Sequence, residues 1–359
     1  MVYDGAQGRD LARDILMTLP IARLARAKLS SNFSWANFSW SNFSWANFSW
    51  ANFSWARLAA AAVLVLLAGP AGGEIQADLW SGQRALDIIV QLLKFTPRAM
   101  ETPGHQQTID YITSELAKTK FNTIKTQRWA ARAAGRTMAM TNIIARLNPD
   151  NPRRMIVATH YDSIIKAYRD SKNPTAPMPG ANNSASGVAV MLETARVISQ
   201  LPDPPIGIDM VFFDGEEGAI SMGAGDPNFK PIGSAHFAER LAEFYPNARP
   251  EKAVDLDMVC DKDLHLKPEP SSIASAPAEV KKFWDIGIKT APQAFEMTRM
   301  PYTIEDDHSN LQAAGIPSLI VIDFEYEPYY NTLQDTPDKC SVQSLEAVGR
   351  TLLQYLYLP

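Results

Sequence analysis

The side chains in this sequence best suited to acid–base or metal chemistry fall in a few short clusters. His160-Tyr-Asp162 follows the run MIVAT, Asp214-Gly-Glu216-Glu217 follows IDMVFF, and Asp257 sits just after Leu256. The loop PGANNSASG (179–187) carries Asn183, EDDH (305–308) carries Asp306, and Tyr330-Asn331-Thr332 comes last. Imidazoles and carboxylates delivered to one edge supply the nitrogen and oxygen ligands of a zinc site with an open coordination position. Adjacent Glu216 and Glu217 point in different directions, so one can bind metal while the other acts as a base. Each cluster alone has a plainer reading. His-x-Asp is more often a hydrogen-bonded pair, Glu-Glu a solvated turn, and EDDH a helix start with acids in its first turn. Their shared position at strand ends is what gives them joint weight.

The elements that must hold them follow from hydrophobic spacing. Ala85–Leu93, Gly104–Leu116, Ser184–Ile198, Glu279–Thr290 and Ser344–Leu356 carry apolar residues at helical spacing. Thr141–Leu147, Met155–Thr159, Ile208–Phe213, Val254–Val259 and Ser318–Ile322 read as strands. Strands with apolar centres, alternating with helices, predict an α/β three-layer sandwich: a mostly parallel central sheet with helices on both faces. In such sheets ligands bind beyond the carboxyl ends of the strands, where the polar clusters fall.

A net charge of −5 with scattered Lys and Arg lacks the basic footprint that nucleic acid requires. Cys260 and Cys340 allow one disulfide or two buried thiols, and belong to no metal-binding cluster. Residues 1–56 read as a low-complexity or disordered extension holding Asn-Phe-Ser-Trp-(Ala/Ser) repeats from Asn32 to Ala56, whose period fits neither a helix face nor a strand face. Arg57, the apolar run Leu58–Leu67 and the small residues to Gly73 have the pattern of a secretory signal. That run is too short for a stable membrane span. A secreted or periplasmic domain over 74–359 is therefore expected, with an anchor through 57–73 as the alternative.

HYDS (160–163), PGANNSASG (179–187), FFDGEE (212–217), LDMV (256–259), EDDH (305–308) and YNTLQDT (330–336) occur in that order. Together they resemble the zinc-dependent exopeptidase family that includes bacterial aminopeptidases and animal-type glutaminyl-peptide cyclotransferases. NIIARLNP (142–149), AGIP (314–317) and GSAHFAERL (233–241) look closer to the cyclase branch. The resemblance implies one or two zinc ions and substrates that are peptide or protein N-termini. It assigns Glu216 as general acid/base, with Asp306 joining Asp257 and Glu216 in a proton network. His160, Glu217 and Asp257 become metal ligands, Asp162 orients His160 from behind, and Tyr330 lines the substrate pocket. Two ligand positions depart from the family pattern: Asn183 stands where it has Asp, and Asn331 where it has His. A neutral amide oxygen holds zinc less well than carboxylate or imidazole. The resemblance thus implies a zinc-dependent glutaminyl cyclase impaired at two ligand positions. The alternatives are an aminopeptidase and an inactive peptide-binding relative.

Overall fold

A computed structural model of the chain describes residues 76–133, 136–217, 231–326 and 329–358. The aromatic repeats and the signal-like segment 57–73 lie outside the described residues.

Two helices open the described chain: α1 (Gly82–Leu93), capped by Ser81, and α2 (Pro103–Leu116), capped by Thr102 with Pro103 in its first turn. The strands β1 (Thr123–Ala133) and β2 (Arg136–Leu147) form a long antiparallel hairpin. Then come β3 (Arg154–His160), α3 (Ala185–Ile198), β4 (Gly207–Phe213), α4 (Ile232–Glu239) and a single turn, α5 (Leu241–Phe244). The remainder is β5 (Lys252–Asp257), α6 (Pro270–Ser275), α7 (Pro277–Thr290), α8 (Asp307–Ala313), β6 (Ser318–Ile322) and α9 (Val342–Tyr357).

The six strands form one sheet in the order β1-β2-β4-β3-β5-β6. Pairings β4/β3, β3/β5 and β5/β6 are parallel, and β1/β2 and β2/β4 antiparallel. Every residue of β3 and β4 is buried, as their continuous apolar runs require of strands covered on both sides. Side chains alternate between two cores. Met155, Val157, Ile208, Met210, Val254 and Leu256 pack with α1, α3 and α9, whereas Ile156, Ala158, Val211, Phe213 and Ala253 pack with Phe237 of α4 and Leu311 of α8. The sheet is therefore sandwiched between helices, as the sequence implies. Gly187 lets α3 approach closely, since a Cβ there would lie 2.1 Å from Thr159 Oγ1 and 2.7 Å from the Leu256 carbonyl oxygen.

Several details differ from the expected elements, among them β2, which starts at Arg136 rather than Thr141. Strand β1 was not legible because most of its side chains face solvent, leaving little apolar signal. Strand β5 stops at Asp257 rather than Val259, because Met258 adopts φ 46°, a left-handed turn no strand continues through. The two cysteines, left open by the sequence, are joined as a Cys260–Cys340 disulfide.

Candidate functional site

Strand register builds the site. Ala158 of β3 pairs with Asp255 of β5, so two residues further along His160 comes level with Asp257 at the carboxyl edge. His160 Nε2 lies 3.2 Å from Asp257 Oδ1, and its Nδ1 lies 3.4 Å from Asp162 Oδ1 and 3.8 Å from Glu216 Oε2. All four residues are buried.

Strand β4 delivers the two glutamates through a tightly held turn. Asp214 accepts from the Thr141 amide at 2.6 Å and lies 2.9 Å from His105 Nε2, while its own amide donates to Asn142 Oδ1. Gly215, at φ 71°, supplies the left-handed step, and a Cβ there would lie 2.3 Å from the Met140 methyl. The amides of Glu216 and Glu217 then donate to the two oxygens of Asp162, at 3.2 and 3.3 Å. Asp162 therefore positions the backbone of both glutamates. The oxygen near His160, Oδ1, is the one that accepts from Glu216, and His160 Nδ1 is left without a hydrogen-bond partner.

The loop bearing Asn183 is fixed from both sides. Arg98, wholly buried, donates to the carbonyls of Pro179 at 2.9 Å and Gly180 at 2.8 Å. Asp335 accepts from the amides of Asn182 at 2.7 Å and Asn183 at 3.1 Å. Held this way, Asn183 turns Nδ2 onto Glu217 Oε1 in a short hydrogen bond, and its Oδ1 has no partner. Asn331, at φ 57°, is also buried with an unpartnered Oδ1. Tyr330 is half-buried, with the Arg169 guanidinium 4.9 Å over its ring and Phe324 beside it. Asp306 caps α8, accepting from the Asp307 amide.

This concentration of buried acid reshapes proton affinities. Burial, with Asp306, Glu217 and Asp307 nearby and only partly offset by His160, holds Glu216 well above the usual carboxylate range. Burial likewise pushes Glu217 up to about 8, with Asp162 and Asp257 adding to it. Asp306 rises to about 6 through burial and the charge of Asp257. For His160 burial works the other way, yet Glu216, Asp162 and Asp257 outweigh it and hold the imidazole well above its ordinary value.

The side chains present do not fit a resident zinc at the family's position. Asn183 points an N–H, not an oxygen, at Glu217, and such a donor repels a cation where a ligand should attract one. The neutral oxygens of Asn183 and Asn331 are left over. Among the described residues, the group of three His, Asp or Glu side chains whose ligand atoms all lie within 4.8 Å of one another is Asp255, Asp306 and His308. Asp255, Arg98 and His105 escaped the sequence reading, which quoted Asp214, His308 and Asp335 only within motifs and gave them no role. Only Asp255 carried a signal: a carboxylate at the centre of an otherwise apolar strand.

Solved structures share this fold. A Zn-dependent exopeptidase from Parabacteroides distasonis superposes with a TM-score of 0.72 at 27% identity, over 78% of this chain and 99% of that one. A glutaminyl cyclase from Fimbriiglobus ruber superposes with a TM-score of 0.71 at 30% identity, over 77% of this chain and 95% of that one. The fold is thus that of the zinc exopeptidases and bacterial glutaminyl cyclases. The model of peptidase family M28 matches residues 142–356, and the chain belongs to that family. Glutaminyl-peptide cyclotransferase of Bos taurus is 26% identical over an alignment of 250 residues that covers 61% of this chain and 67% of the bovine protein. A second model, of pentapeptide repeats in eight copies, matches residues 31–61, which include the aromatic repeats.

Proposed function

We propose that this chain is a glutaminyl-cyclase-type protein that receives peptide N-termini and whose metal-dependent turnover is impaired by Asn183 and Asn331. The Asn183–Glu217 hydrogen bond carries this reading, because it ties up an oxygen the family's metal would use. What remains is a buried cluster of carboxyl groups, Glu216, Glu217, Asp257 and Asp306, whose oxygens can accept hydrogen bonds from the amine of a free N-terminus. Glu216, whose proton affinity is raised by burial, is suited to take up and return a proton, with Asp306 nearby. His160, between Glu216 and Asp257, balances the pair electrostatically. Tyr330 is assigned to flank the first side chain. The disulfide supports export to an oxidising compartment.

An aminopeptidase reading is favoured by the direct His160–Asp257 contact, since that half of a two-metal site keeps its residues. Both readings are tested on the full chain. Binding of a Gln-initiated peptide is compared with its N-acetylated form, alongside cyclisation and aminoacyl-arylamide hydrolysis, in the parent and in Asn183→Asp/Asn331→His. The free peptide should bind and the acetylated one should not. The double variant should take up more zinc than the parent and gain one of the two activities, which decides between the readings. Equal binding of both peptides, with no gain in the double variant, would sink the assignment.

A further inference from the structure

Further back along β5 from that cluster lies a second set of metal-ligating side chains. Asp255 is two residues before Asp257 in β5, so both project from the same face. Register places Asp255 between Ala158 of β3 and Ile320 of β6, a small and an apolar neighbour. From that face the start of α8 brings Asp306 and His308. One oxygen from each aspartate and one ring nitrogen of His308 lie within 4.8 Å of one another, with all three residues buried.

Hydrogen bonding leaves a nitrogen spare. The His308 amide donates to Asp255 Oδ2 at 2.9 Å, which holds the histidine over the carboxylate. Its Nε2 faces away, 3.1 Å from Ser271 Oγ and 3.6 Å from Glu269 Oε2. Nδ1 is wholly buried and has no partner. An unpaired imidazole nitrogen beside two buried carboxylates leaves the cluster with more negative charge and more lone pairs than its protein neighbours satisfy.

We propose that Asp255, Asp306 and His308 form a zinc-class divalent cation site, displaced inward from the family's position and joining α8 to β5. Two carboxylate oxygens and one imidazole nitrogen match a three-ligand zinc site with one position open to water. The imidazole disfavours magnesium and calcium, which take oxygen ligands. With Glu269 and Ser271 behind it, His308 has the outer partner that orients a metal-bound ring. Asp306, at 4% exposure, is the least buried of the three. The ion neutralises buried charge and pins the helix that carries Asp306. The site shares Asp306 with the peptide-binding reading but rests on its own observations, and its test is separate.

The full chain is stripped with chelator, dialysed and titrated with zinc chloride while heat is measured. The parent should bind about one zinc per chain at this site. Asp255→Asn and His308→Gln should each weaken binding by at least about tenfold, while Glu217→Gln should change it little. Loss with Glu217→Gln but not Asp255→Asn would place the ion at the family's position and overturn the proposal, as would a folded parent that binds no zinc. Should the Asp255 variant fail to fold, anomalous diffraction from zinc-loaded parent crystals decides. A peak between Asp255, Asp306 and His308 supports the site; a peak beside His160, or none, overturns it.

Discussion

Arg98 offers the sharpest test of how the pocket is held. Replacing it with Met keeps length and apolar stem but removes the guanidinium. The two strong bonds, to Pro179 and Gly180, are charge-assisted, and a third reaches the Tyr161 carbonyl at 3.4 Å. Hydrogen bonds to charged groups contribute about 1.5–3 kcal/mol each, and orphaned buried acceptors about 1–3 kcal/mol. Arg98 is also a positive charge close to the buried Asp335, Asp162 and Glu217. Breaking a buried ionic cluster from one side costs about 3–5 kcal/mol. Arg98→Met should therefore destabilise the chain by about 4 kcal/mol, read as a fall in urea midpoint at unchanged slope. Arg98→Lys keeps the charge but loses the fork that spans two carbonyls, and should recover about half of that loss. If Arg98→Met costs under about 1 kcal/mol, the guanidinium is not the tie that fixes the Asn183 loop.

Further outcomes follow from other contacts. Glu217, Asp306 and Asp335, raised to about 8, 6 and 6, keep protons in the fold that the unfolded chain releases. The unfolded state then binds fewer protons, so metal-stripped protein should lose stability as pH rises from about 4 to 8, and a flat melting temperature over that range would refute this. Gly187→Ala forces a methyl against the fixed Leu256 carbonyl, and should cost about 1–3 kcal/mol in denaturant unfolding. Reducing the Cys260–Cys340 bridge, which spans 80 residues, should lower stability by about 4 kcal/mol by the chain-entropy argument; a melting temperature unmoved by reductant would contradict it.

Much of this was legible because periodicity and burial agree. The apolar runs ending at His160 and Phe213 are buried on both faces, so their strand character shows in composition alone. His160, Glu216, Glu217, Asp257, Asn183, Asn331 and Asp306 could be named because each follows such a run or sits in a motif. Arg98 and Asp335 could not, since what they do depends on backbone amides and carbonyls distant in the chain. His308 was quoted within EDDH, but its nitrogen gains meaning only from a strand more than fifty positions earlier. Strand β1 stayed hidden because a solvent-facing edge carries no apolar pattern.

The Asn183 loop has one further consequence, seen in heredity. In the genetic code Asn differs from Asp by a single base, and from His by a single base. The clamps on that loop, Arg98 and Asp335, grip backbone atoms rather than the Asn183 side chain, so they are indifferent to which of these residues stands there. On the proposed function, Asn183→Asp and Asn331→His each need one base change, and the clamps on the Asn183 loop would hold Asn or Asp there alike.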